Sequence, residues 1–199
     1  MDGRAFYHDG MRGWQDRFDG RRLADRLDQV TKHAAFTDDD RALIAGAPFF
    51  FIASAHDGYV DCSIKAGDPG FVRIIEPNVI EYPEYDGNSQ YRTLGNIARS
   101  PAVGLLFMKF DGKSYKLRVN GRATIHDDVE TLKAHHGAKL VVRIVCEMYP
   151  NCPRYAPNLV DGTPSLYPPR PGAPSPAPEW KSMEIVADVL PAGDPHRPV

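Results

Sequence analysis

From Pro48 onward the chain repeats one pattern: a short apolar run, a tight turn, and a second run that alternates back along the first. Phe49-Phe50-Phe51-Ile52-Ala53-Ser54-Ala55, the turn His56-Asp57-Gly58 and the alternating Tyr59-Val60-Asp61-Cys62-Ser63-Ile64-Lys65 predict a hairpin. Phe71 to Ile75 and Val79 to Tyr82, joined at Pro77-Asn78, predict a second. Ala102 to Phe110 and Ser114 to Ile125, joined at Asp111-Gly112, predict a third, and a further strand runs from Leu140 to Met148. A parallel α/β fold needs a helix after nearly every strand, and here one helix-like segment, Ser89 to Arg99, interrupts the series. The pattern therefore calls for a mainly β fold with flanking helices, an antiparallel barrel or strongly curled sheet of six to seven strands.

What flanks this core differs in kind. Ahead of it, Leu23, Leu27, Val30 and Ala34 share a helical face, and Thr37 with Asp40 resembles a capping box before Leu43-Ile44, so two short helices are expected. Behind it, thirteen of the eighteen prolines fall from residue 150 onward. Ala156 to Glu179 cannot make a regular helix or central strand, because proline lacks the N–H donor and restricts its predecessor. The expected organisation is a helical segment over 1–47 packed on the barrel, a core over 48–155, and a Pro-rich arm over 156–199. Met183 to Leu190 is a possible final strand, and Trp14 and Trp180 are expected to pack on the barrel.

Composition narrows the function classes. At 199 residues the chain suits little more than one domain of roughly 150 residues. Its net charge of −2 supplies no global field toward nucleic acid or an anionic membrane, so neither partner is expected. No apolar run approaches the roughly 20 residues of a membrane span, and Met1-Asp2-Gly3-Arg4 lacks a signal-peptide layout. Three cysteines, Cys62, Cys146 and Cys152, include no CxxC pair and fit a reduced compartment. Cytoplasmic localisation is the expectation. Cys146, in the apolar run Val141 to Cys146, reads as a buried thiol. His135-His136 has no carboxylate at a ligand spacing, and no metal site is expected.

Three segments carry candidate chemistry. Ser63 and Lys65 point the same way from one strand, a spacing that offers a phosphate one hydroxyl and one charge. Asn88, Arg92 and Asn96 fall four apart and share a helix face, whose N-terminus favours an anion. Lys116, Arg118, Asn120 and Arg122 share a strand face. That last face is either solvated or borders an anionic ligand or a partner subunit, and both readings stay open.

Taken in order, Ser63 to Phe71, Tyr82-Pro83, Asp86-Gly87-Asn88, Tyr91 to Ile97, Pro101 to Phe107, Arg118 to Ala123 and Tyr149 to Tyr155 resemble the pyridoxamine 5'-phosphate oxidase-related flavin-nucleotide-binding proteins. The resemblance spans about residues 36 to 156. It implies a split β-barrel of the FMN-binding type, a homodimer with FMN at the subunit interface, and an FMN-dependent oxidoreductase acting on a small molecule. A flavin carrier or redox sensor without turnover, or a split barrel binding haem or a deazaflavin, are the alternatives it leaves. It places Asp61, Cys62, Ser63 and Lys65 along the flavin ring and ribityl chain. Arg92 would bind the FMN phosphate, with Ser63, Lys65 or Asn88 assisting. Tyr82 and Pro83 would line the ring edge, and Asn96 would support the helix or the phosphate. Asn151, Cys152 and Arg154 would approach the cofactor or the partner subunit. True pyridoxamine phosphate oxidases have an Arg-rich first cofactor strand and a C-terminal Trp and Arg region that clamps substrate phosphate. Here the strand reads Asp61-Cys62-Ser63-Ile64-Lys65 and the C-terminus is Pro-rich, so the resemblance is to the wider group.

Overall fold

The structure is a computed structural model that describes residues 6–85, 89–111, 115–151, 156, 158–160, 176, 178–194 and 197. It divides into two compact units, 33–164 and the chain ends 1–32 with 165–199.

The larger unit is built on one seven-stranded sheet in which every neighbouring pair runs antiparallel. The strands are β1 (Phe49–His56), β2 (Tyr59–Ala66), β3 (Arg73–Glu76), β4 (Val79–Glu84), β5 (Ala102–Met108), β6 (Lys116–His126) and β7 (Leu140–Asn151). Their order is β2-β1-β5-β6-β7-β4-β3. The strands of the three expected hairpins pair, and the further strand expected over Leu140 to Met148 forms as β7. The first closes on Asp57 and Gly58, both with positive φ (48° and 80°), the backbone that a two-residue turn between twisted strands requires. At the β6–β7 contact Gly121 faces Cys146, and a Cβ there would sit 2.8 Å from the Val145 carbonyl oxygen, so only glycine keeps this register.

The inner face collects Phe50, Ile52, Leu105, Phe107, Leu117, Val119, Ile144 and Met148, all at 2% exposure or less. Phe50 sits at its centre, stacked with Phe107 and Phe71 and edge-on to Tyr82 at ring separations of 5.0–5.9 Å. Two helices cap this face. In α3 (Asp38–Gly46) the Thr37–Asp40 capping box forms as expected, and Leu43 and Ile44 are buried. In α4 (Arg92–Arg99) Thr93, Leu94 and Ile97 are the buried residues. The helix starts at Arg92, three residues later than the sequence suggests, because Ser89 and Tyr91 take left-handed backbone (φ 60° and 49°) and turn the chain sharply into it. A short helix, α5 (Val129–Lys133), links β6 to β7 and is capped by Asp128.

The smaller unit holds α1 (Asp9–Arg17), α2 (Arg21–Thr31), a 3-10 turn (Glu179–Ser182) and α6 (Glu184–Ala187). The helix α1 was not expected from the apolar pattern, and it has no buried residue. The possible strand over 183–190 does not form; α6 occupies its first half. Its buried residues Val186, Val189 and Leu190 fall at helical rather than alternating spacing, while Met183 and Ile185 stay exposed. Trp14 is 60% exposed, stacked on Phe18 with the Arg17 guanidinium over its ring. Among the described residues no helix is long and apolar enough to cross a membrane.

Candidate functional site

A cleft of about 460 Å³ opens between the edge strand β2, the end of β4 and the start of α4. Residues 61–66 of β2 all line it, and the period of the strand decides which of them are covered. Asp61, Ser63 and Lys65 are at least half-buried on the side facing α4, and Val60, Cys62, Ile64 and Ala66 alternate with them on the exposed side. The cleft's charged residues are Lys65, Arg92 and Lys139 against Asp61 and Glu84. Leu94, Leu140 and Pro83 supply apolar wall.

Asp61 organises one end. It is 6% exposed, and its Oδ2 accepts hydrogen bonds from the hydroxyls of Ser63 (2.7 Å) and Thr93 (2.9 Å). Its Oδ1 lies 3.3 Å from Nε of Arg92, whose side chain is 63% exposed. The Ser63 hydrogen bond, more than burial opposes it, holds the Asp61 carboxyl below its ordinary range, with Thr93, Arg92 and Lys65 adding to the effect. At the other end Lys65 Nζ is 2.6 Å from Oε1 of Glu84, and both side chains are largely buried.

The structure thus brings Asp61, Ser63, Lys65, Pro83 and Arg92 together, and the more exposed Cys62 also lines the cleft. It places Tyr82 elsewhere: the ring is fully buried against Phe50, and burial, then the nearby Glu84, pushes its hydroxyl pKa well up. Tyr82 is core because β4 is buried on both faces between β3 and β7. Asn96 points at β1, donating to Ser54 Oγ at 3.2 Å, and so pins the helix to the sheet. Asn151 ends β7 opposite Lys116. Asn88, Cys152 and Arg154 lie outside the described residues. Residues that sequence reasoning passed over also line the site, among them Thr93 and Glu84. The signal for Thr93 was its position beside Arg92 at the start of a helix, and for Glu84 its i+2 alternation from Tyr82 along β4.

Two other carboxylates are equally satisfied but closed off. Asp40, fully buried, accepts from Thr37 N and Oγ1 (both 2.9 Å) and from Tyr115 (3.0 Å), with His33 Nε2 at 2.6 Å. Glu81 accepts two guanidinium N–H groups of Arg143 and lies 3.3 Å from His135 Nε2. Cys146 is buried, which pushes its thiol up to about 12, whereas Cys62 is exposed.

The larger unit is thus an antiparallel sheet with a polar cleft between its edge strand and one helix. Residues 36–155 match the pyridoxamine 5'-phosphate oxidase family, and the chain belongs to it. Its fold is the split β-barrel of that family with flanking helices. Among solved structures it is similar to a candidate pyridoxamine 5'-phosphate oxidase from Lactobacillus delbrueckii, at 20% identity over 60% of this chain and 99% of that one (TM-score 0.49). HupZ from Group A Streptococcus is similar at 18% identity over 56% and 89% (TM-score 0.46). A NimC/NimA family protein from Clostridium acetobutylicum is similar at 15% over 57% and 83% (TM-score 0.37). No curated protein matches the sequence.

Proposed function

We propose that this protein binds FMN in the β2–β4–α4 cleft and is an FMN-dependent oxidoreductase acting on a small molecule. The family commonly binds FMN and includes FMN-dependent oxidoreductases. The observation that carries the reading is the position of Arg92: a largely exposed guanidinium at a helix N-terminus, at the mouth of a cleft that also holds Lys65, Ser63 and Thr93. That donor set suits a phosphate ester, and the apolar wall of Leu94, Leu140 and Pro83 suits a flat ring. Bound flavin would supply the hydride and electron chemistry. The chain's own residues grip and orient: Arg92 takes phosphate oxygens, and Lys65, held by Glu84, adds positive charge at a fixed place. Asp61 in place of an arginine-rich strand argues against vitamin B6 phosphate as the substrate.

The outer face supports the homodimer. Val60 and Ile64 are 70% and 60% exposed, and the register sets Ile64 beside Phe51 and Phe51 beside Leu106. Ala53 lies between Cys62 and Gly104 in the next row. A contiguous apolar patch across β2, β1 and β5 marks a protein-binding surface. Because β2 also borders the cleft, a second copy docked there would flank the ligand. The test is titration with FMN and with riboflavin, followed by flavin fluorescence together with light scattering. The expected result is FMN bound more tightly than riboflavin by a dimer. Equal affinity for the two would remove the phosphate role of Arg92.

A further inference from the structure

Arg92 is the residue on which phosphate binding turns, and its own helix does little to hold it still. It opens α4, its side chain is 63% exposed, and none of its N–H groups makes a hydrogen bond with a described residue. An exposed arginine spreads over many rotamers, and ordering it at the moment of binding costs affinity. Lys65, the cation at the other end of the cleft, has no such problem. It and its partner Glu84 are both largely buried, so packing sets its place.

What Arg92 has is Asp61. The carboxylate is 6% exposed and its Oδ1 lies 3.3 Å from Nε of Arg92. Asp61 is itself fixed from two elements, since its Oδ2 accepts from the Ser63 hydroxyl of β2 at 2.7 Å and the Thr93 hydroxyl of α4 at 2.9 Å. Contact through Nε, the nitrogen nearest the stem, leaves Nη1 and Nη2 unspent, with four of the five N–H groups of the guanidinium. Two such nitrogens side by side match two oxygens of a phosphate.

A carboxylate beside an anion site has two opposite effects. As a like charge it repels the phosphate, and as a fixed anchor it orients the guanidinium before the ligand arrives. The structure favours the anchor. The guanidinium lies against the carboxylate and balances its charge, and two hydroxyls and burial keep the anchor rigid. We propose that Asp61 is a positioning residue: acting through Arg92, it holds the Nη donors ready for the phosphate of FMN. This rests on the reading of the cleft as an FMN site.

The experiment measures the dissociation constants of FMN and of riboflavin for the full chain, Asp61→Asn, Arg92→Ala and the double variant, by flavin fluorescence. The ratio of the two constants isolates the share of the phosphate. Asp61→Asn keeps the size, and its carbonyl oxygen can still accept the two hydroxyls. It should lower the preference for FMN about three- to tenfold, the cost of ordering one long side chain, and leave riboflavin affinity within about twofold. With Arg92 already removed, Asp61→Asn should lower the preference no further. A preference that rises in Asp61→Asn overturns the proposal, because the carboxylate would then act only as a like charge. So does an unchanged preference, and so does an equal loss in both backgrounds, because Asp61 would then act without Arg92.

A second measurement needs no Asp61 variant to fold. Nitrogen relaxation of the arginine Nε–H groups is recorded on the ligand-free parent, with the Arg92 signal assigned by its absence from Arg92→Ala. Arg92 should be more ordered than Arg118 and Arg122, which are exposed and have no ion pair among the described residues. Equal disorder overturns the proposal. If Arg92→Ala leaves the preference for FMN unchanged, the phosphate reading fails and takes this proposal with it. An effect of Arg92→Ala without one of Asp61→Asn sinks this proposal alone.

Discussion

Asp40 and Asp61 are both aspartates that collect hydroxyl protons within the larger unit, and they differ in where their partners are anchored. Every group on Asp40 is fixed by the fold: the α3 cap, His33 on a bridge to Met148 of β7, and Tyr115 at the start of β6. Asp61 has the same kind of hydroxyl partners, but its counter-charge rides on an arm that is 63% exposed and its other side opens on the cleft. A sealed carboxylate with fixed partners ties elements together, whereas one balanced by an exposed arm has a partner that a ligand can share. The comparison predicts that stability and ligand binding separate cleanly between the two sites.

The largest effect should come from breaking the sealed cluster. Asp40→Ala leaves Tyr115, His33 and the Thr37 N–H without their acceptor, and we expect a loss of about 3 kcal/mol in urea unfolding, with FMN affinity of the folded protein unchanged. A loss below about 1 kcal/mol would break the contrast. Arg92→Ala should do the reverse. It should weaken FMN by about 1.5 to 3 kcal/mol, roughly ten- to a hundredfold in the titration midpoint, and leave the melting temperature nearly unchanged.

Acid should distinguish the two sites again. Burial raises Asp40 and Glu81, but hydrogen bonds, from Thr37, His33 and Tyr115 in the first case and from Arg143 and His135 in the second, outweigh it and hold both below their ordinary values of 3.8 and 4.5. Carboxylates depressed in the folded state contribute stability that is complete above the unfolded values and lost as pH falls through the folded ones. Stability measured in urea should therefore be level near neutrality and decline once the pH drops below about 4.5, less steeply in Asp40→Ala. The smallest effect belongs to Asn96→Ala, which removes a single bond to Ser54 and should cost about 0.5 to 1 kcal/mol in stability without moving the FMN midpoint.

Much of the fold was legible because its signals are local. Alternation, the Asp57-Gly58 turn and the Thr37–Asp40 box each sit within a few residues and need no tertiary help. The helix α1 escaped because it buries nothing, so no apolar stripe marks it. The segment after Met183 misled because Ile185, Val186, Val189 and Leu190 resemble a strand in composition while their burial follows a helix. The site was legible in part. Asp61, Ser63, Lys65 and Arg92 sit in segments whose order carried the family resemblance, and they do converge. Tyr82 did not, because Tyr-Pro looks like a strand end. The strand runs on to Glu84, and Pro83 is accommodated beyond the last β3 pair, where β4 is in effect an edge. Thr93 and Glu84 gain their roles only when α4 and β4 are brought against β2, a long-range juxtaposition of which the local pattern gives no more than their places beside Arg92 and two residues on from Tyr82.

The measurement that bears most directly on the central claim is the visible absorption spectrum of the freshly purified protein, with chromatographic identification of what heat releases from it. The account predicts a flavin spectrum and FMN approaching one per chain. A colourless protein that also refuses added FMN would contradict it.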